Sequence, residues 1–348
     1  MRSLFWAAAC LLLLGGCLPS SCQSGDFDSI TPADSLSRSI AEEMPADSLQ
    51  LAWSLRDEAA YPLGYPRMVQ RTHNDTLVVA DVERNSLHYL HTSGTYEREY
   101  AHDAFDVPFL SGTVADTLWV FNAETDSLVA VANGAVLPDR GFRISRADEA
   151  SLVYTAAHPD NFYLKLLGED IGSTLYQYTW DGAVEGEHTL EQPFWRYAGF
   201  LRIHEDQLWS LSGFRPVLDR FPLDLNQAPT TPADTVALRG FDSPMLERSH
   251  AFLIGDTHEP PLLSTSAVVQ DNLWFVLNMR SGWIQVDVFD MDGELQHRLM
   301  EANPQPDSDF FPQDMTVYPH NEGYKIVFAI SDPEPEVRAY HWHATSDS

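Results

Sequence analysis

The segment from residue 240 to residue 263 carries the side chains of this sequence that best match metal chemistry. It contains His250 and His258, and the carboxylates Asp256 and Glu259 lie beside the second histidine. Imidazole nitrogens and carboxylate oxygens are ligands for divalent metals. Spacing along a loop fixes little geometry, however, and the sequence favours a solvated lid that holds no metal.

Three arginines form a second candidate site. Arg84, Arg215 and Arg280 lie in polar loops between predicted strands. A guanidinium binds carboxylate, sulfate or phosphate through paired hydrogen bonds, so three arginines on one rim would form a small anion-binding set. Salt bridges to acidic residues of neighbouring loops are the alternative. These acids are Glu124, Asp126, Glu169, Asp170 and Glu334.

Aromatic residues are concentrated in two connections. The first contains Phe194, Trp195 and Tyr197, and the second contains Phe310 and Phe311. Exposed aromatic rings stack on sugars or hold a peptide, whereas buried rings only pack between elements. Packing is the favoured interpretation.

Known catalytic and metal motifs are missing from the sequence. The acidic segment 287–294 resembles a calcium loop, but two apolar residues, Val288 and Phe289, interrupt the required spacing, and a plain hairpin is predicted. There is no Gly-x-Ser-x-Gly elbow, no phosphate-binding glycine loop and no His-Glu-x-x-His. Catalytic residues therefore remain unknown.

A degenerate repeat organises these residues. An acidic turn residue followed by an apolar and aromatic strand recurs six times, with the acids at positions 75, 116, 160, 206, 271 and 322. Each unit continues into a polar loop, a second strand and often a glycine turn, and another apolar strand precedes each acid. Periods of about 40 to 50 residues built from short strands are typical of propeller blades.

The sequence thus predicts an all-β fold, a six-bladed β-propeller with four-stranded antiparallel blades. Residues 49–55 form an alternating strand with no unit of their own, and the last unit ends after its third strand. We expect this N-terminal strand to close the last blade, because an open ring would expose unpaired edges. In such a ring, the loops with the three arginines share one face with the connections between blades.

These blades resemble the six-bladed propellers found as exported lipoproteins in Bacteroidetes-like bacteria, and more loosely the NHL and TolB-type propellers. The resemblance covers residues 48–344 and implies a fold rather than an activity. Related propellers usually bind ligands on the face described above, over the central channel.

The N-terminus predicts export. Arg2 precedes an apolar run at residues 4–14, which is too short to span a bilayer and fits a signal segment. The sequence Leu-Gly-Gly-Cys ending at Cys17 resembles the bacterial lipobox, which implies removal of residues 1–16 and acylation of Cys17. A plain secretory signal is the alternative. Leu18 after the cysteine is typical of lipoproteins released to the outer membrane, and Cys22 has no disulfide partner in the mature chain.

Composition defines the remaining domains. Residues 17–47 are polar and rich in Ser, Asp, Glu and Pro, so they predict a flexible tether with a possible short helix at 35–43, followed by the propeller at 48–348. The net charge is -30, and only Lys165 and Lys325 are lysines. An acidic, lysine-poor chain is typical of proteins from salt-loving bacteria, although an ordinary acidic secreted protein fits too. The same negative charge excludes nucleic acid as a partner.

Three functions remain open at this stage. We expect a monomeric binding or scaffold module, tethered to a membrane, for a small anionic or carbohydrate ligand or an envelope protein. The alternative is a propeller-type metal-dependent hydrolase, lactonase or lyase, whose resemblance implies one divalent cation held by Glu, Asn and Asp in the channel. A structural spacer is the third possibility. Carboxylates that meet in the channel would favour the enzyme, whereas mixed side chains would favour binding.

Overall fold

The computed structural model describes residues 35–56, 61–72, 75–144, 152–168, 172–190, 194–227, 234–253, 261–280, 282–302 and 309–343. Two α-helices are present in this part of the chain, α1 (Ser35–Glu43) and α2 (Leu246–Leu253), with short 3-10 helices at Phe194–Tyr197 and Leu225–Gln227. Twenty-four strands make up the rest of the regular structure. No helix of the described residues is long and apolar enough to cross a membrane. The all-β prediction is confirmed.

Four separate sheets have four antiparallel strands each, in the order of the chain. The first contains β2 (Pro66–Arg71), β3 (Thr76–Asp81), β4 (Ser86–His91) and β5 (Tyr96–Ala101). The second contains β6 (Pro108–Val114), β7 (Thr117–Asn122), β8 (Ser127–Ala132) and β9 (Ala135–Arg143). The third contains β10 (Leu152–Ala157), β11 (Phe162–Gly168), β12 (Gly172–Tyr178) and β13 (Val184–Leu190). The fourth contains β14 (Leu201–His204), β15 (Gln207–Leu211), β16 (Val217–Pro222) and β17 (Asp234–Ala237).

The other eight strands form one sheet, in the order β18-β19-β20-β21-β1-β24-β23-β22. Its strands are β1 (Ala46–Arg56), β18 (Ser264–Gln270), β19 (Leu273–Asn278), β20 (Gln285–Phe289), β21 (Leu295–Glu301), β22 (Phe311–His320), β23 (Gly323–Asp332) and β24 (Glu336–Trp342). As expected, β1 pairs antiparallel with β24, from Gln50 to Arg56.

The prediction of six separate four-stranded blades is wrong in its count, because only four such sheets are present and β1 also pairs parallel with β21 through Ala46 to Leu49, which joins eight strands in one sheet. With 11 residues, β1 is long enough to hydrogen-bond β21 with one end and β24 with the other. The structure therefore has four separate four-stranded sheets and one eight-stranded sheet. This second pairing covers an edge of β21 that would otherwise stay open.

The first strands of the units surround a central channel. Strand β2 contacts β6 and β22, β6 contacts β10, β10 contacts β14, and β18 contacts β22. The remaining gap is bridged by a side chain, since Nε of Arg202 on β14 donates to the carbonyl of Ala267 on β18 at 3.1 Å. The channel is thus enclosed on all sides.

Apolar side chains fill the spaces between neighbouring sheets. In β3, Leu77 and Val79 pack with residues of the eight-stranded sheet, whereas Val78 and Ala80 pack with residues of the second sheet. Successive side chains of a strand point to opposite faces, and both faces are buried here. This explains why the second strands read as continuous apolar runs.

Part of the predicted tether is packed on the sheets. The hydroxyl of Ser37 in α1 accepts a hydrogen bond from the amide of Gly240 at 2.8 Å, and Arg298 donates to the carbonyl of Ala41 at 2.6 Å. Ile40 and Met44 contact the core between the fourth and the eight-stranded sheets. The helix coincides with the one anticipated at 35–43, while residues 1–34, including Cys17 and Cys22, lie outside the described residues.

Candidate functional site

The three arginines predicted to bind an anion are engaged separately. Arg84 donates two hydrogen bonds to Glu99, at 2.9 and 3.2 Å, and Arg280 forms an ion pair with Asp242 at 2.7 Å. Arg215 is only 2% exposed, and burial lowers its pKa to about 10. No contact between these arginines is found in the described part of the chain. Two of them therefore follow the salt-bridge alternative, with carboxylates other than the five expected ones.

The predicted metal ligands are only partly within the described residues. His250 belongs to α2, whereas Asp256, His258 and Glu259 lie outside the described residues. No group of three histidine, cysteine, aspartate or glutamate side chains suited to a metal ion occurs in the described ranges. The metal prediction for His250 and His258 stays a prediction.

The aromatic and acidic segments behave as packing and turn elements where they are described. Tyr197 is fully buried and Phe310 nearly so, both within cores between sheets. The side chain of Asp287 is buried too, and it accepts hydrogen bonds from Arg298 at 3.0 Å and Asn278 at 2.6 Å. The residues after it form a tight hairpin, in which the amide of Gly293 donates to the carbonyl of Asp290 at 3.1 Å.

Buried basic side chains hold the connection that leads into β14. Nζ of Lys165 donates to the carbonyls of Tyr197 and Gly199, at 2.5 and 2.6 Å, and burial lowers the pKa of this amine well below the ordinary value. Arg196 binds Asp219 through two hydrogen bonds of 2.5 and 2.6 Å. These contacts fix the backbone on the face that carries the loops with Arg84, Arg215 and Arg280. They offer no exposed group to a ligand.

Asp314 is the one carboxylate on β2, β6, β10, β14, β18 and β22, the strands that surround the channel in the described part of the chain. Its Oδ1 accepts from the hydroxyl of Ser266 at 2.6 Å and lies 3.5 Å from Nη2 of Arg202. Its Oδ2 accepts from the backbone amide of Val69 at 3.1 Å. Burial raises the pKa of Asp314, and the positive charge of Arg202 opposes this shift. The carboxylate is thus used to link β2, β14, β18 and β22.

Backbone amides along the channel-facing edges of the first strands donate hydrogen bonds to side chains from the neighbouring sheets. Besides Val69, the amide of Leu110 donates to the sulfur of Met68 at 3.2 Å, and the amide of Arg71 donates to the hydroxyl of Thr316 at 3.4 Å. Unpaired backbone groups in a buried channel would be costly. Much of the polar lining of the channel therefore serves the fold.

A different arrangement occurs at one opening of the channel. It lies on the face that carries the loops between the second and third strands of the sheets. We call Tyr65, Arg67, Gln313 and Ser331 the mouth cluster. Arg67 donates to the amide oxygen of Gln313, whose nitrogen donates to the hydroxyls of Tyr65 at 3.0 Å and Ser331 at 2.6 Å. No carboxylate of the described residues lies within ion-pair distance of Arg67.

Asp81 positions the backbone of the mouth cluster. Its carboxylate accepts hydrogen bonds from the amides of Gly64 at 2.7 Å and Tyr65 at 2.9 Å, and it contacts buried His88 at 3.4 Å. Burial raises the pKa of Asp81, but the hydrogen bonds from His88 and from these amides outweigh it, so the pKa lies below its ordinary value. An ionised Asp81 therefore holds Tyr65 next to the channel.

Sequence reasoning missed the mouth cluster and the Arg202–Asp314 pair. A signal was present, because Arg67 and Arg202 are charged residues next to apolar residues of the first strands. A charge in such a strand must find a partner or face an opening. What the pattern did not contain was the identity of the partners on β22.

Comparisons with known proteins support the fold. No family model matches the chain, and no curated protein matches it either. Among solved structures, virginiamycin B lyase from Staphylococcus aureus is 11% identical, with a TM-score of 0.52, over 85% of this chain and 100% of that chain. The Cps50 (Swd1) β-propeller domain from Myceliophteria thermophila is 8% identical, with a TM-score of 0.53, over 84% of this chain and 99% of that one.

A third similar structure is regucalcin, a calcium-binding protein from Agrobacterium tumefaciens. It is 12% identical, with a TM-score of 0.51, over 86% of this chain and 97% of that chain. Identities this low show the fold alone. With four-stranded antiparallel units around a closed channel, the chain is a β-propeller.

Proposed function

We propose that this protein is an exported propeller, held on a membrane by lipid on Cys17, that recognises a small anionic ligand at the mouth of its channel. The observation that carries the proposal is that Arg67 is bound to the neutral amide of Gln313 rather than to a carboxylate. In this proposal the eight-stranded sheet serves as two of six blades, joined by β1.

The hydrogen bonds of the mouth cluster suit an anion. Arg67 has five N–H donors and directs one of its nitrogens at Gln313. Because Gln313 donates to the oxygen of Tyr65, the phenolic hydrogen is available to donate to a ligand. A planar carboxylate that accepts from both Arg67 and Tyr65 fits these donors. The chain has a net charge of -30, so the surrounding surface repels anions, and a cationic mouth is the place that attracts them.

The enzymatic alternative has weaker support from the residues. A lyase and a calcium-binding protein are among the similar structures, but at 11 and 12% identity. A hard divalent cation requires several oxygen ligands. The first strands supply Asp314 alone within the described residues, and its oxygens already accept from Val69, Ser266 and Arg202. This donor set does not fit such a cation.

The ligand proposal is tested by calorimetric titration of the full chain in detergent with citrate, sulfate and inorganic phosphate. We expect at least one anion to bind, and Arg67→Gln to weaken it about tenfold or more. Arg84→Gln is the matched control, because Arg84 is occupied by Glu99, and it should change affinity less than about twofold. Equal affinity in the Arg67 variant would refute the proposal, and stoichiometric calcium in the purified protein would promote the enzyme.

The anchor is tested separately by labelling cells with radioactive palmitate and by membrane fractionation. Cys17→Ser should abolish incorporation of the label, whereas Cys22→Ser should leave it unchanged, because only Cys17 ends the lipobox-like sequence. We place the anchored protein on the outer membrane. Label that persists in the Cys17 variant would remove the lipoprotein assignment.

A further inference from the structure

A pocket lies at the opposite end of the sheets from the mouth cluster. Its volume is about 330 Å³, near the lower limit of small-molecule sites. It is formed where the turn from β14 to β15, the turn from β18 to β19 and the turn from β20 to β21 come together. We call it the turn-face pocket, and the residues argued below are His204, Trp209, Arg220, Asn272, Glu205 and Asp292.

The walls of the turn-face pocket are held before any ligand arrives. Nε2 of His204 lies 3.1 Å from Oδ1 of Asn272, so a hydrogen bond joins the fourth sheet to the eight-stranded sheet. Arg220 is fixed by Asp234 at 2.5 Å, and its guanidinium lies 5.6 Å from the ring of Trp209. Fixed polar groups bind a ligand without the entropy cost of ordering them.

Trp209 gives the pocket an unfulfilled donor. The residue lines the pocket and is 3% exposed, and its indole N–H has no acceptor. A buried donor without a partner costs free energy. The nitrogen is shielded from solvent, so a ligand acceptor recovers this free energy after a small movement of the ring. The indoles of Trp119, Trp274 and Trp283 also have N–H groups without an acceptor, but none of these residues lines this pocket.

The charges around the pocket limit the class of ligand. Glu205 and Asp292 are exposed carboxylates at its rim, and the charge of Arg220 is balanced by Asp234. An anion would be repelled by the two carboxylates, and a simple amine would leave the donors of Arg220, Asn272 and Trp209 unused. A hydroxyl group donates and accepts at once, which matches this mixed lining.

We infer that the turn-face pocket binds a neutral polyhydroxylated ligand of about one sugar ring. Its hydroxyl oxygens accept from Trp209 and Arg220, and its hydroxyl hydrogens are donated to the rim carboxylates. This site is independent of the anion site, since it lies at the opposite end of the sheets and shares no residue with the mouth cluster.

The test is calorimetric titration of the full chain with D-glucose, D-galactose and N-acetyl-D-glucosamine, and with ethanolamine as a cationic probe. We expect one of the sugars to bind, and Asn272→Ala and Trp209→Phe to weaken it about tenfold and about fivefold. Trp119→Phe and Asn321→Ala are matched controls, because they make the same changes at the equivalent strand position and at another left-handed turn asparagine, both outside the pocket. Both controls should bind as the unaltered chain does.

Melting curves of each variant separate loss of binding from loss of folding, and a variant that unfolds is replaced by Arg220→Gln, with the same expectation. Binding of no sugar, sugar binding that survives both pocket variants, or preference for ethanolamine would overturn the proposal. Arg67→Gln must leave sugar affinity unchanged, so that failure of the anion site and failure of this site are distinguishable.

Discussion

The guanidinium of Arg202 lies 3.5 Å from the carboxylate of Asp314, on first strands that belong to two different sheets. The same carboxylate also holds Ser266 and the backbone of Val69. One carboxyl group therefore joins four of the first strands around the channel. This makes the pair a structural connection in the part of a propeller where a metal-dependent enzyme would be expected to hold its cation.

Replacement of Asp314 with asparagine should lower the free energy of unfolding by about 3 kcal/mol. The variant leaves Arg202 without its counter-charge and places an amide donor against other donors. Urea denaturation followed by tryptophan fluorescence measures the effect. The double variant Arg202→Met with Asp314→Asn should recover part of the loss, and a single variant as stable as the unaltered chain would contradict the assigned role.

Strand β1 should contribute to stability at its buried positions and not at its exposed ones. Leu49 is 1% exposed within a core of the eight-stranded sheet, whereas Leu51 on the same strand is 60% exposed. Leu49→Ala should cost about 2–5 kcal/mol, because a cavity replaces a buried side chain. Leu51→Ala is the control and should cost less than about 0.5 kcal/mol. Similar effects of the two changes in thermal melts would argue against the closure by β1.

The mouth cluster should depend on ionised Asp81. Its pKa is below the ordinary 3.8, so the stability it contributes is present above about pH 3.8 and is lost as the pH falls through the folded-state pKa. Asp81→Asn should therefore be less stable than the unaltered chain by a similar amount at pH 7 and pH 5. The difference should shrink below about pH 3.8. Asp75→Asn, in an exposed pair with Arg71, is the control and should show little effect at any of these values.

The charge of -30 predicts that salt stabilises the folded chain. The Debye length falls from about 10 Å at 0.1 M to about 3 Å at 1 M salt, which screens repulsion between carboxylates. The melting temperature should rise between these concentrations of potassium chloride. Sucrose of equal osmolarity should raise it less. A melting temperature that does not respond to potassium chloride would place the protein among ordinary acidic secreted proteins.

The recurring acidic residue was informative because of the turn that it occupies. Two of the six acids, Asp75 and Asp271, have φ angles of 57° and 52°. Asparagine and aspartate tolerate this left-handed conformation better than other residues with side chains. In three other turns the residue before the acid is the left-handed one, namely Ala115, Glu205 and Asn321 at 49°, 52° and 53°. The repeat thus marked the tight turns between strands, and that is why it located the strands correctly.

The residues of the proposed anion site and of the Arg202–Asp314 pair were not predictable in the same way. Arg67 and Gln313 are separated by 246 residues, and Arg202 and Asp314 by 112. Arg84 and Arg280 stood out as charged loop residues, yet each had a carboxylate within its own surroundings. A loop position indicates that a side chain is exposed, but it does not show whether that side chain already has an ion-pair partner.

The amino-acid sequence by itself determined the strands, the turns between them and the need for an N-terminal strand beside β24. Alternation and left-handed turn residues act over a few residues, and the last unit lacked a strand that only the unassigned N-terminal strand could supply. Only the tertiary structure decided that β1 also joins β21, that Arg202 meets Asp314, and that Arg67 faces Gln313 at the channel mouth. Those contacts join segments far apart in the chain, and their geometry is set by how the sheets pack around the axis.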